Sequence, residues 1–459
     1  MDVGPNLRPV VGSIIGLILF VVISVGSSTT SATSAAVENN SIRIPTQAEN
    51  NTTGPTTTVA VTPISYVNEA LDFIEQMSFR KSTLDWNTIR ATAESKAKTA
   101  TTIDEAHTIV ADVIKAMDDK HSSFTRPPQA QLQAAGNYSG FGFIAVWPSR
   151  TVVTVATGSP ASKAGLRVGD RITKIDGKSP IHTDSVITVP RDRRGNFPPR
   201  IVVTVTRTGA RLPKSLTLQL GAVTLVSIPT AAVVPPKLGS GLGSIGYLDV
   251  PGIIGDAAVQ KSYAQELQDA IRATDSEVRC GWVVDLRRNR GGYIYAMLAG
   301  LGPLLGSGEV GGQLNAAGTR TMWSYTDGAL FAGESATVTV DRPYRLDDPK
   351  VPVAVLTSGL TASAGEATTI AFRHRPASRS FGEKTVGLTT FNVRKRMPDG
   401  AFLDILNAVD VDRVGNVYDG PIVPEQPTAI DWNNVGNSAD PVLTAATTWL
   451  NQQPACTHQ

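Results

Sequence analysis

The residues of this chain best equipped for chemistry stand together in Thr361-Ala362-Ser363-Ala364-Gly365-Glu366, directly after the apolar run Val351–Leu356. Such a β-branched run is long enough for a buried strand and too short for a helix. Gly359 breaks it, and a small-residue helix is expected from the TASAGE segment to about Phe372, with a hydroxyl near its N-cap and Glu366 in its first turn. A serine at the mouth of a strand-to-helix turn lies where helix amides can hold a developing oxyanion, which makes Ser363 a candidate nucleophile. Taken locally, the same hydroxyl could equally be a packing or capping group.

A serine hydroxyl is a poor nucleophile near neutral pH and needs a base. His121, one of five histidines, lies in Asp118-Asp119-Lys120-His121-Ser122, between acids and hydroxyls just after a helical stretch. A solvated helix cap is the plainer role for a histidine there. The paired glycines of Arg287-Arg288-Asn289-Arg290-Gly291-Gly292 follow the buried-strand pattern Gly281–Leu286. Without a Cβ they let backbone amides approach a ligand, although glycines also serve plain turns.

These groups need elements to position them. Ile64 to Met117 has helical periodicity, with Val67, Leu71, Ile74 and Met77 at three- and four-residue steps and Ile103–Met117 as a second stretch. Gly140 to Leu225 reads instead as short strands and turns, with Phe141-Gly142-Phe143-Ile144 at its start, SPASKAGL as a short helix with a glycine stop, then GDRI and IDG. Past Pro229, strands such as Gly246–Val250 and Gly281–Leu286 alternate with amphipathic helices such as Asp256–Ala273, which argues for a mainly parallel sheet.

A chain of 459 residues has room for about three domains. Its net charge of +2 draws neither nucleic acid nor an anionic membrane. No Cys/His cluster has metal-ligand spacing, and no cofactor is expected. Near the N-terminus, Val10–Val25 is an uncharged apolar run after a lone cation, Arg8. It falls between a signal peptide and a full membrane span of about 20 residues. Either reading exports the rest of the chain. Residues 27–62, dominated by Ser, Thr, Ala and Asn, read as a flexible linker. An exported location would permit a disulfide between the two cysteines, Cys280 and Cys456, but their spacing alone does not require one.

The order GFGF, SPASKAGL, GDRI, IDG resembles a PDZ domain. That resemblance implies a loop, Gly140, Phe141, Gly142 and Phe143, that presents amides to a peptide's terminal carboxylate while the peptide adds a strand to the sheet edge. Together with VVDLRRNRGG, TASAGE and GEKTVG, the chain resembles the carboxyl-terminal processing (tail-specific) serine peptidases and the related tricorn core over roughly residues 64–430. The implied fold class is α/β: a ClpP/crotonase-like ββα core with a PDZ-like β-rich domain and a small N-terminal helical subdomain. The expected domains are a signal peptide or anchor at 1–26, the linker, a helical subdomain at 63–135, the PDZ-like domain at 136–226 and a peptidase core at 227–452.

The resemblance also implies roles. Ser363 matches the nucleophile, Glu366 the acid of the same motif, and the Gly291-Gly292 turn and Ala364 the two oxyanion-hole amides. The Ser–Lys branch of the family carries its lysine where this chain has Leu388, which accepts no proton, and Lys384 is too far along a strand to substitute. The tricorn-like branch takes a histidine from the preceding helical region, and Asp118-Asp119-Lys120-His121-Ser122 resembles its motif. His121 is therefore the expected base, with Asp419 as the orienting acid and Ser122 as a lesser candidate hydroxyl. An ordinary histidine base predicts activity falling as pH drops through about 6.5. The expected function is an exported serine endopeptidase acting on protein or peptide tails, entered by way of free C-termini, with membrane contact only through the N-terminal segment. Loss of the lysine leaves a second reading, an inactive peptide- or apolar-ligand-binding protein on the same fold. Substrate identity and oligomeric state are not readable from the chain.

Overall fold

The computed structural model describes residues 61–457 apart from 184, 193–195, 225–228, 235–243, 347 and 349. The run Val10–Val25 and most of the linker lie outside the described residues, among which no helix is long and apolar enough to cross a membrane.

Helices α1 (Pro63–Met77), α2 (Trp86–Ala97) and α3 (Ile103–Met117) come first. Thr102 and Glu105 close a capping box at the start of α3, satisfying donors that a helix start leaves open. Tyr66, Leu71, Val110 and Met117 share a buried cluster with Leu403 and Ile405, so this helical body is fastened to the core sheet by its apolar face. After α3, Asp118 (φ 49°) and Lys120 (φ 60°) both adopt left-handed backbone and turn the chain. His121 follows this turn and leads into β1 (Ser123–Thr125) and α4 (Pro127–Ala134).

The second body contains β2 (Asn137–Gly140), β3 (Phe143–Ala145), β4 (Val152–Val155), the one-turn helix α5 (Pro160–Lys163) and β5 (Arg171–Ile175). It continues through β6 (Ile181–Thr183), β7 (Val186–Thr188), β8 (Arg200–Thr206), β9 (Lys214–Gln219) and β10 (Gly221–Thr224). Buried and more exposed residues alternate along β8 and β9, as the period of two requires. Phe141, Ile172, Ile201 and Leu218 form its own core.

The remainder begins with β11 (Thr230–Val234), β12 (Ile245–Asp249), α6 (Ala257–Asp275), β13 (Gly281–Asp285) and α7 (Ile294–Leu305). Next come β14 (Gly308–Asn315), β15 (Arg320–Thr326), β16 (Ala329–Ala332), β17 (Ser335–Thr339), β18 (Val353–Thr357) and α8 (Ala364–Ala371). The last strands are β19 (Ser378–Gly382), β20 (Thr390–Arg396), β21 (Phe402–Val411), β22 (Val417–Tyr418) and β23 (Gln426–Pro427), before α9 (Pro441–Asn451) and α10 (Pro454–Thr457).

One sheet runs β11-β12-β13-β18-β19-β23, parallel except for β11. Every residue of β13 and β18 is buried, which a parallel strand covered on both faces demands and which explains their unbroken apolar runs. Trp282, Val284, Val353 and Val355 face Leu267 of α6, Met297 of α7 and Ala367 of α8, whereas Val283, Ala354 and Leu356 face Val442 and Leu450 of α9. A second sheet, β1-β21-β14-β15-β16-β17 with β20 and β22 on β21, carries the surface on which the helical body sits. Cys280 and Cys456 form a disulfide that ties the start of β13 to α10.

Candidate active site

The chain enters the site at the C-terminal ends of β13 and β18. Arg287, fully buried after β13, is paired with Asp285 (2.6 Å) and with Asp440 (2.8 Å), which also caps α9. This ion triad fixes the turn that follows. From that turn the carbonyls of Arg287 and Leu286 accept the hydroxyls of Ser358 (2.6 Å) and Thr361 (2.8 Å), so the two strand ends are laced together.

Ser363 begins α8 with φ 51° and ψ −121°, a backbone state that costs a non-glycine residue about 1–3 kcal/mol. Several bonds hold it there: Ala362 N–H donates to Asn289 O (3.0 Å), Ser363 N–H to Glu366 Oε2 (2.9 Å), and Glu366 N–H back to Ser363 O (2.7 Å). The Ser363 side chain is buried, and its Oγ has no hydrogen-bond partner among the described residues. The amide of Ala364, at the first position of α8, has no acceptor among the described residues, as the geometry of a helix start requires.

Gly291 and Gly292 divide their work. Gly291 N–H donates to Asn289 Oδ1 (2.9 Å), so that amide is occupied, contrary to a reading in which either member of the pair could serve as donor. What Gly291 supplies is space: a Cβ at its φ of 97° would lie 2.8 Å from Ser363 Cβ and 3.2 Å from Ala364 N. Gly292 pairs with Ile253 through the carbonyl of Gly291 and the amide of Tyr293, which leaves its own N–H outside that ladder. The amides of Gly292 and Ala364 have no backbone acceptor among the described residues.

Glu366 is fully buried and accepts four donors: Ser363 N, Thr385 Oγ1 (2.5 Å), Gly387 N (2.7 Å) and Leu388 N (2.7 Å). Burial nevertheless pushes its carboxyl up to about 7. Its contacts make it the clamp between the serine turn and the 385–388 segment. Leu388, at the position of the missing lysine, is buried and contributes its amide to that clamp.

Two residues further on, Thr390 begins β20 and its Oγ1 meets His121 Nδ1 at 2.5 Å. His121 is buried, its carbonyl accepts from Asn392 Nδ2 (2.9 Å), and burial lowers its ring to about 3. Thr390, which meets His121, thus lies two residues beyond Leu388, whose amide Glu366 of the serine turn accepts, so one short segment carries contacts to both the serine turn and the imidazole. Asp410, fully buried on β21, is pushed well above the usual carboxylate range by burial and by the nearby Glu366.

Two expected partners are placed elsewhere. The Asp419 carboxylate reaches Arg80 (2.5 Å) in a partly exposed surface pair, so it does not orient His121. Ser122 Oγ donates to Asp119 Oδ2 (2.5 Å) and accepts from Leu406 N (2.9 Å), which makes it a fastener of the turn rather than a member of the site. Asp119 Oδ1 also accepts the amides of His121 and Ser122, and so shapes the turn that delivers the imidazole. The hydroxyl that meets the ring is Thr390, which the sequence reading missed; its only signal was a Thr-Thr pair just beyond GEKTVG.

The loop Gly140, Phe141, Gly142 and Phe143 forms part of the second body, with Phe141 and Gly142 carbonyls accepting from Ala161 N and Ala156 N (both 2.9 Å). The expected strand-adding edge beyond it is paired: Val146 bridges Val186, and Trp147 N–H donates to Ser185 O (2.8 Å).

Residues 244–425 match peptidase family S41, and residues 151–193 match a PDZ domain. The chain is 31% identical to the nisin-resistance protein of Lactococcus lactis over 198 residues, which are 43% of this chain and 59% of that protein. It is 26% identical to the carboxyl-terminal-processing protease of Synechocystis, covering 78% of this chain and 79% of that one. Among solved structures, the photosystem II D1 C-terminal processing protease superposes with a TM-score of 0.54 at 19% identity, over 85% of this chain and all of that one. A lipoprotein from Streptococcus agalactiae gives 0.52 at 19% identity, over 81% and 93%. These superpositions establish a shared fold: a mixed α/β core with a PDZ domain and an N-terminal helical region.

Proposed function

We propose that this chain, whose residues 244–425 match peptidase family S41 and which is similar to carboxyl-terminal-processing proteases, cleaves protein or peptide tails through an acyl-enzyme on Ser363 with His121 as general base. The observation that carries this reading is the strained Ser363 backbone, which holds a buried, unpartnered hydroxyl beside the open amide of Ala364. A fold that only held ligands would gain nothing from keeping such strain at a serine. Nor does Leu388 argue for an inert site, since its backbone serves the Glu366 clamp.

In the proposed reaction Ser363 Oγ attacks the scissile carbonyl carbon and its proton passes to His121 Nε2. The ring then carries its other proton on Nδ1, donated to Thr390 Oγ1. The carbonyl oxygen, now anionic, accepts from Ala364 N and Gly292 N, each such donor being worth about 3 kcal/mol in the transition state. Collapse breaks the C–N bond as His121 returns its proton to the leaving amine. Water, deprotonated by the same ring, then releases the acyl group and restores the serine.

Ser363 Oγ is not bonded to the ring in the resting protein, and catalytic hydrogen bonds of this kind often form only once substrate is bound. An extracytoplasmic location is part of the proposal, supported by the apolar run Val10–Val25 and by the disulfide, a bond that reducing compartments disfavour. The test is cleavage of an unfolded protein by residues 62–459 with Ser363→Ala beside it. Loss of cleavage in the variant supports the assignment; equal cleavage by both, or none by either, removes it.

A further inference from the structure

We propose that the PDZ domain carries its own ligand: the segment Ser185–Val189 fills the groove that this fold otherwise opens to a peptide, and the domain serves as a brace for the nucleophile turn. This inference rests on the peptidase reading, whose substrates would then not be selected by a terminal carboxylate captured in the PDZ groove.

Peptide capture by strand addition requires an edge with free amides and carbonyls, and a pocket for the side chains that alternate toward the core. Neither is vacant. The β3 edge is extended by Val146, which pairs antiparallel with Val186, and by Trp147, whose amide donates to Ser185 O (2.8 Å). On its other side β7 pairs with β6, so a hairpin of the chain itself lies along the end of this edge, joined to it at Val146 and Trp147. The pocket is filled as well. Ile187 is buried in one cluster with Phe141 of the carboxylate-type loop and Ala145 of β3, and Val189 and Phe197 pack against that cluster. Phe197 meets Phe141 edge-on at 5.6 Å. A peptide's apolar end would have to expel these side chains.

The same hairpin touches the catalytic turn. Val146 and Val153 form a buried cluster with Leu360, and Ile144, Val186 and Trp432 pack around it. Leu360 lies three positions before Ser363. A Cβ on Gly359 would come within 2.8 Å of Ser185 Oγ, so the hairpin rests directly on the turn's backbone. Thr151 Oγ1 adds a hydrogen bond to Asn433 Oδ1 (3.2 Å). Removing β7 from the groove would therefore unpack Leu360 and loosen the approach to Ser363. One segment satisfies the sheet edge and the turn together, which is the physical sense in which the domain is already liganded.

The test uses the full chain with Ser363→Ala and two fluorescent peptides of one apolar sequence, one ending in a free carboxylate and the other amidated. Anisotropy is expected to give affinities within two-fold of each other, and hydrogen exchange is expected to find the Trp147 amide protected with and without peptide. A ten-fold preference for the free acid, or peptide-induced loss of protection at Trp147, overturns the proposal. The peptidase reading fails separately, if the unmodified chain leaves both peptides whole.

Discussion

The pH–rate profile discriminates most sharply among accounts of this site, because burial and solvation place the base at different ends of the scale. A solvated histidine titrating near 6.5 would be only about 3% neutral at pH 5, and kcat/KM would fall about thirty-fold from its plateau. In the structure His121 is buried and held through Nδ1 by a neutral hydroxyl, with burial lowering it to about 3. At pH 5 about 99% of such a ring is still neutral, so the base contributes no loss between pH 8 and 5 and an acid limb only near 3. The expectation from an ordinary histidine is corrected accordingly.

Glu366 is the group able to mimic a histidine limb, since burial sets it at about 7. Its four acceptor bonds to the serine turn and the 385–388 segment favour the ionised form, so its protonation would relax the clamp. Stability is not the confounder over this window. Between pH 6.5 and 4.5 the lowered imidazole loses about 1.4 kcal/mol per unit as pH falls, because only the unfolded ring gains a proton. Glu366, raised to about 7, offsets that loss with the opposite sign, because over this window the folded carboxyl binds its proton before the unfolded one does, and the raised Asp410 acts in the same direction. The assay is kcat/KM on an uncharged peptide from pH 4.5 to 8, run for the natural chain and for Glu366→Gln. The variant should show a flat acid side. An acid limb at pH 6–7 that persists in Glu366→Gln would refute the buried, low-titrating imidazole.

Gly291→Ala should lower kcat/KM by about 10²–10³-fold, since the new methyl closes the space before Ala364 N; unchanged kinetics would show that the oxyanion lies elsewhere. Thr390→Val should cost about 2–13-fold in kcat/KM with KM little changed, the worth of one hydrogen bond of about 0.5–1.5 kcal/mol to the ring. Asp419→Ala should leave kcat/KM within about two-fold, because a partly exposed ion pair is worth about 0–1 kcal/mol; a larger loss would return Asp419 to the site. Replacing Cys280 and Cys456 by Ser should destabilise the fold by about 5 kcal/mol, the entropy of a closed loop of 176 residues, read from denaturant midpoints.

The parts of the site that local sequence announces are those made by one continuous segment. Ser363 and Ala364 are legible because the strand, the break at Gly359 and the small-residue helix are successive in the chain, and each has its own physical signature. His121 is legible through the turn that presents it, where Asp119 satisfies the amides left by the end of α3. What stays hidden is partnership across distance. Thr390 meets His121 from 269 positions away, and nothing in a strand's first residues distinguishes a hydroxyl that meets a ring from one that faces water. Asp419 misled because an acid near the end of the core has the right chemistry, while Arg80, which claims it, lies in the helical body. The PDZ motifs identified the domain but not the contents of its groove, because Val186-Ile187-Thr188 alternates as any edge strand does. The disulfide belongs to the same class, its two sulfurs being brought together only by the packing of α9 and α10 beneath the sheet.

The left-handed backbone at Ser363 also bears on how this protein would respond to selection. Glycine relieves a positive φ without cost, so Ser363→Gly would be favoured in any screen that rewards thermal survival alone, even as it removes the proposed nucleophile. Laboratory evolution toward heat resistance should accordingly include a turnover requirement at every round. Without one, the most rugged descendants of this chain would be those that had stopped working.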